Sequence, residues 1–402
     1  ESIMKLYNHV AYKMCQHEMD MAQHIPAGGN WKDIPKEITD NRLANIRDSG
    51  GRTTYYGRLT WDKPSYTINT FFNRVPNGCN LHPEQMRVIS TREAARFQSF
   101  PDDFVFIAKT KSGIYKQIGN AVPPLLARMI STLIKPHLNS YNIVDLFAGC
   151  GGLSEGFIQN GFKLLAANEF DASVFETNKF NHSKYASEDK FILGDITKDE
   201  TKQKIFTACG ENQVDVILGG PPCQGFSYAG WRDPNDKRNQ LFRDFVDIVT
   251  TLKPKFFVME NVPGILTMRK GEAIKEIIKA FADAGYYMGT PLKLTAADFG
   301  VPQKRKRVIL IGCRDNITIN QPAPLFSDKQ RGLFPLPKYV SVREAIGSFP
   351  PIPDGGGEEE IDIIFENPSD YDRLMAKEIS FDEFYQKKLN EMQYSVEGHT
   401  IY

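Results

Sequence analysis

The sequence predicts an α/β protein: a doubly wound, mostly parallel seven-stranded sheet with a second, smaller irregular domain. Three observations predict it. Between residues 141 and 313, short apolar runs of strand length alternate with longer stretches of helical period. A Gly-rich turn follows the first run, as in sheets that bind ligands at the carboxyl ends of their strands. Residues before 90 instead mix Gly, Pro, Asn and aromatic residues with little periodicity.

The expected strands are Ile143–Phe147, Lys163–Glu169, Phe191–Asp195, Val214–Gly220, Phe256–Val262, Tyr286–Leu294 and Arg307–Cys313. Two helices precede them. Ser90-Thr91-Arg92-Glu93 is a capping box opening Ala94–Phe100, and Pro123-Pro124 opens a helix with apolar residues at 125, 126, 129, 130, 133 and 134. Past 314 the chain turns Pro-rich, then acidic, and Gly355-Gly356-Gly357 precedes a weakly helical stretch near 370–394.

Composition removes several function classes. With 402 residues, 41% of them hydrophobic, the chain can bury a sizeable core. Six cysteines without a CxxC pair exclude zinc-finger and haem-attachment spacing, and are too sparse for a stapled secreted scaffold. No apolar run reaches the ~18–20 residues that cross a bilayer. The expectation is a soluble cytoplasmic protein with no membrane partner. Residues 354–402 hold 13 acidic and 4 basic residues, net −9, so the overall zero leaves +9 on residues 1–353. A basic body beside an acidic tail suits a polyanion partner, or simply an ordinary solvated surface.

The chemistry-bearing residues follow the strands. Asp145-Leu-Phe-Ala-Gly-Cys-Gly-Gly-Leu-Ser-Glu-Gly156 gives GxGGxxxG rather than the dinucleotide GxGxxG, and alone does not separate a nucleotide-like ligand from a tight structural turn. Glu169 ends the second strand where an acid accepts ribose hydroxyls, with Phe170 beside it for an adenine ring. Asp195 and Ile196, ending the third, supply an acceptor and an apolar contact for the same base. Together these favour an adenosine-bearing cofactor. After the fourth strand comes Gly219-Gly-Pro-Pro-Cys-Gln-Gly-Phe-Ser227, whose rigid Pro-Pro-Cys presents the Cys223 thiol to the crevice as a nucleophile. Glu260, ending the fifth, shares that crevice, and partial burial would raise its pKa for proton work. In Gly300-Val-Pro-Gln-Lys-Arg-Lys-Arg307, alternation puts Gln303, Arg305 and Arg307 on one side and Lys304 and Lys306 on the other.

These segments resemble the DNA cytosine-C5 methyltransferases in order and spacing. The resemblance extends to Arg92-Glu-Ala-Ala-Arg-Phe-Gln-Ser-Phe-Pro101 and Tyr115-Lys-Gln-Ile-Gly-Asn-Ala-Val-Pro-Pro124, which look like that family's last two motifs. Here they come first, so the chain resembles a circularly permuted member. The division expected from this is 1–80 as part of a target-recognition domain, 81–140 as the permuted motifs completing the catalytic domain, 141–314 as the catalytic and cofactor-binding core, and 315–402 as the remaining target-recognition segment.

The resemblance implies that Cys223 adds to C6 of a flipped-out cytosine, and that Glu260 assists at N3. It also implies that Arg307 holds the carbonyl, that Arg305 helps position the sugar-phosphate, and that no metal is needed. It places S-adenosylmethionine against Phe147, Gly149, Cys150, Gly151, Gly152, Glu169, Phe170, Asp195, Ile196, Gly220, Pro221 and Leu241. Asn120 and Ala121 would meet the cofactor's amino-acid end. Gln224, Ser227, Trp231, Arg232 and Gln303 are the expected DNA contacts, and 224–239 the expected lid. The implied partner is double-stranded DNA, bound by a monomeric prokaryotic, nucleoid-associated modification enzyme that a restriction endonuclease accompanies. A tRNA cytosine-C5 methyltransferase, a catalytically silent DNA-binding protein and a nicotinamide dehydrogenase are the competing readings.

Overall fold

The computed structural model describes residues 3–222, 237–329 and 335–397. Twelve strands lie among them. In chain order these are β1 (Met4–Val10), β2 (Gly57–Arg58), β3 (Cys79–Leu81), β4 (Asn142–Leu146), β5 (Lys163–Glu169) and β6 (Phe191–Leu193). There follow β7 (Val216–Gly219), β8 (Phe256–Asn261), β9 (Tyr287–Met288), β10 (Leu292–Thr295), β11 (Lys306–Cys313) and β12 (Gly357–Ile363). The central sheet runs β10-β11-β8-β7-β4-β5-β6, with β9 also paired to β11. The pairs from β8 through β6 are parallel, and β11 runs antiparallel to β8, β9 and β10.

Six of the seven expected strands lie within two or three residues of their expected limits. The sixth run, Tyr286–Leu294, divides into β9 and β10 around Gly289, so the sheet has eight strands. Alternating side chains fill two layers. Ile143, Leu164, Val216, Leu218, Phe256 and Val258 join a core with the helices Pro124–Ile134 and Gly152–Gln159. Val144, Leu165, Ile217, Phe257 and Met259 face the opposite core, against Asp199–Cys209, Lys237–Leu252 and Glu272–Asp283. Strand periodicity of two thus gives a sheet covered on both faces.

The capping box at Ser90 forms with Glu93 and opens the helix Thr91–Phe97, and Pro124 opens Pro124–Ile134. Gly156 allows the latter helix to lie against Gly152–Gln159, since a Cβ there would meet Ala127 Cβ at 2.5 Å. Residues 90–134 are therefore part of the sheet's own core. A third apolar cluster, from Met14 to Val88, forms a separate small unit that includes the helices Gln16–Ala22 and Asn41–Ser49. Val340, Ile346, Tyr371 and Phe384 join the large core rather than this unit. Residues 315–402 meet residues 1–80 through the antiparallel pair β1–β12. The expected C-terminal helix is two helices, Asp370–Met375 and Phe381–Glu397. No helix among the described residues is long and apolar enough to cross a membrane.

Candidate active site

At the carboxyl end of β4 the chain turns through three left-handed residues, Phe147 (φ 55°), Gly149 (56°) and Gly151 (95°). The turn is tied to β5: Ala148 N–H donates to Asn168 O at 2.9 Å, and Gly149 N–H to Glu169 Oε2 at 2.8 Å. Glu169 Oε1 accepts the N–H groups of Phe170 and Asp171 at 2.8 and 2.9 Å. A carboxylate offers about four lone-pair sites, so Glu169 keeps capacity for a hydroxyl. Phe170 beside it is 73% exposed. Asp195 Oδ1 holds the N–H and hydroxyl of Thr197 at 3.0 and 2.8 Å, and Ile196 is buried.

Gly152 lies against the Val122 carbonyl, Gly119 against the Asn69–Thr70 backbone, and Asn120 is exposed at the end of Lys111–Asn120. Ala121 is buried next to it, and Leu241 is half-buried on Lys237–Leu252. Burial pushes the Cys150 thiol up to about 12, so it stays protonated in the core and any ligand contact is through its backbone. Burial also raises Asp145, to about 6, while Ser154 donates to its Oδ2 at 2.5 Å. The glycine cradle, the residual capacity of Glu169 and the exposed Phe170 fit an adenosine-bearing cofactor.

The second half of the site lies at the ends of β7 and β8. Their parallel register pairs Gly219 with Met259 and brings Gly220 beside Glu260; a Cβ on Gly220 would be 3.2 Å from Glu260 Oε2. Asn261 Nδ2 donates to the Pro221 carbonyl at 3.3 Å. The backbone leading toward Cys223 is thus held beside Glu260 and Asn261 as far as Pro221. Cys223 itself, with Gln224, Ser227, Trp231 and Arg232, lies outside the described residues.

From β11, Arg307 Nε reaches 2.6 Å from Glu260 Oε1, as an ion pair without an aligned hydrogen bond. Their side chains are 11% and 13% exposed, so this charged pair faces little solvent. The sequence reading of Glu260 considered burial alone; the structure adds a guanidinium in contact.

The expected alternation holds in burial, with Gln303 and Arg305 inside and Lys304 and Lys306 exposed. Arg305 donates to the carbonyls of Ile68 and Gly119 at 2.9 and 2.7 Å and is 1% exposed, so it ties these segments together. Gln303 is fully buried, donating to Phe97 O and Gln98 Oε1 and accepting from Ile68 N–H. Both burials have one cause. Residues 65–68 lie along 302–305, a long-range contact that local sequence does not announce.

The chain is thus an α/β protein with a doubly wound sheet, a glycine turn and a paired acid at its strand ends. The sequence profile of the C-5 cytosine-specific DNA methylases matches residues 2–135 and 141–399, and the chain belongs to this family. Type II methyltransferase M.XorII of Xanthomonas oryzae pv. oryzae is 42% identical over 214 residues, 52% of this chain and 46% of that one. M.DdeI of Desulfomicrobium norvegicum is 40% identical over 245 residues, covering 59% and 55%. The chain spans about half the length of these curated relatives. A solved prophage-encoded chain of Escherichia coli is 28% identical, with 62% of this chain and 69% of that one covered and a TM-score of 0.45. Among the described residues no His, Cys, Asp or Glu group could hold a metal ion.

Proposed function

We propose that the chain is a sequence-specific DNA cytosine-C5 methyltransferase. One observation carries this reading: Arg307 pairs with Glu260 at the end of β8, and the neighbouring Asn261 holds the Pro221 carbonyl, two residues before Cys223 in the sequence. S-adenosylmethionine, when bound, supplies an electrophilic methyl group on a sulfonium.

The work of this chain's residues then follows from cytosine's chemistry, because C5 is a poor nucleophile until C6 is attacked. The Cys223 thiolate forms a bond to C6 while Glu260 holds a proton at N3, and C5 acquires enamine character. S-adenosylmethionine held at the glycine turn would supply the methyl group that C5 takes up, and would leave as the neutral thioether. A base or water takes the C5 proton, the C6–sulfur bond breaks, and the thiolate returns. Arg307, paired with Glu260, holds the base carbonyl in this reading, as the family resemblance implies.

Family membership and the Type II designation of the relatives support duplex DNA as substrate and a modification role, with a cognate endonuclease as the functional partner. The target base must leave the stack, since its reacting carbon is inaccessible within a duplex. We also read the chain as circularly permuted. The last two family motifs fall at 92–124, ahead of the cofactor strand, and the profile match breaks at 136–140. Incubation with labelled S-adenosylmethionine and either duplex DNA or tRNA, followed by mapping of 5-methylcytosine, tests the reading. Label in tRNA alone overturns it.

A further inference from the structure

Behind the glycine turn lies a row of buried polar side chains that the reaction above does not use. Glu155 and Asn178 are each 2% exposed and His182 is 0%. His182 Nε2 lies 3.1 Å from Glu155 Oε2 and its Nδ1 lies 2.8 Å from Asn178 Oδ1. Asn178 Nδ2 donates onward to the Gly149 carbonyl at 3.3 Å. Glu155 comes from the helix that the turn opens, while Asn178 and His182 stand one turn apart on Ala172–His182. The imidazole edge also faces Gly151, where a Cβ would collide with the ring.

Adhesion alone does not explain this row. Burying a carboxylate and an imidazole costs desolvation that apolar packing would avoid. Although burial pushes the Glu155 carboxyl up, the His182 hydrogen bond and charge bring it down to about 2. What the row adds is direction, because it ends on one carbonyl. Gly149 has no Cβ to restrict it, so the peptide joining it to Cys150 can rotate unless something holds it. The preceding peptide is already fixed by the Gly149 N–H bond to Glu169.

We infer that Glu155, His182 and Asn178 are positioning residues for the cofactor, holding the Gly149 carbonyl toward the helix Ala172–His182. The trans peptide is planar, so the Cys150 N–H of the same unit points the opposite way. A polar end of the cofactor meets a donor that is aimed before the ligand arrives. This rests on the reading that the turn binds S-adenosylmethionine.

The test is calorimetric titration of S-adenosylmethionine into the full chain and its variants, with steady-state kinetics on DNA. Asn178→Asp keeps the shape and the His182 contact but removes the donor to Gly149. It is expected to weaken cofactor binding about tenfold, with kcat at saturating cofactor and the KM for DNA within about twofold of wild type. Glu155→Gln, further along the row, is expected to weaken binding about threefold, and the double variant to be no weaker than Asn178→Asp alone.

Unchanged cofactor affinity in Asn178→Asp overturns the proposal. So does a parallel loss of kcat, both KM values and melting temperature, which marks a merely structural role. Should Asn178→Asp fail to fold, wild-type affinity in Glu155→Gln overturns it. A wild-type chain that binds no S-adenosylmethionine removes the reading of the site, and this inference with it.

Discussion

The two halves of the site are built differently. In the half proposed for the cofactor, residues 147–156, 169–171 and 195–197 are secured mainly by neighbouring strand ends and by the helix behind them. The half proposed for the base is assembled from more distant segments, with β8, β11 and residues 65–68 joined through Arg305, Gln303 and Arg307. The first half depends on backbone conformation, the second on a few charged side chains and their partners. Substitutions in the two halves are therefore expected to fail in different ways.

Glu260→Gln gives the largest expected effect. It removes proton assistance and leaves Arg307 without its carboxylate, so kcat falls about 10²–10⁴-fold while S-adenosylmethionine affinity, read calorimetrically, stays near wild type. Loss of cofactor binding in this variant would merge the two halves. Gly151→Ala is expected to do the reverse. A left-handed residue with a side chain costs about 1–2 kcal/mol, and the methyl also meets the His182 ring. Cofactor binding weakens at least about tenfold while duplex binding, measured by anisotropy, is retained.

Arg305→Met probes the long-range tie. Two buried carbonyls lose their donor, at about 1–3 kcal/mol each when unpaired, partly offset by no longer burying a guanidinium. The guanidinium is already pushed well below its ordinary value by burial and by Arg307. Lower thermal stability with little change in cofactor affinity is the expected result, and an effect confined to DNA affinity would indicate a phosphate role.

Asp145→Asn gives the smallest effect, and its sign depends on pH. Burial raises this carboxyl from 3.8 to about 6, so the folded chain holds the proton more tightly than the unfolded one. The destabilisation is absent below the ordinary value, grows as pH rises toward 6, and levels off above, at about 1–3 kcal/mol. The amide variant should therefore melt higher than wild type at pH 8 and not at pH 4.

This contrast also explains what the sequence revealed. Strand periodicity located the sheet, and the ends of three successive strands set where Gly149, Glu169 and Asp195 stand, because each strand–turn–helix unit is a local signal. The capping box at Ser90 and the proline at 124 marked helix starts for the same local reason. The enclosure of Arg305 and Gln303 was not legible because their partners, Ile68, Gly119 and Phe97, lie far away in the chain. The split of Tyr286–Leu294 was missed because an apolar run carries no signal for where pairing changes. Asn178 and His182 show only helical spacing, so their contacts to Gly149 and Glu155 emerge only when two helices meet.

The proposed reaction requires a transient bond between the sulfur of Cys223 and the pyrimidine. A duplex carrying 5-fluorocytosine at the mapped target position tests it most directly, because the fluorine cannot leave as the proton does. With S-adenosylmethionine present, mass spectrometry should find one covalent protein–DNA complex bearing the transferred methyl group, with the cross-link on Cys223 and no complex in Cys223→Ser. Methylation of ordinary DNA without any such complex, or a cross-link at another residue, would contradict the account.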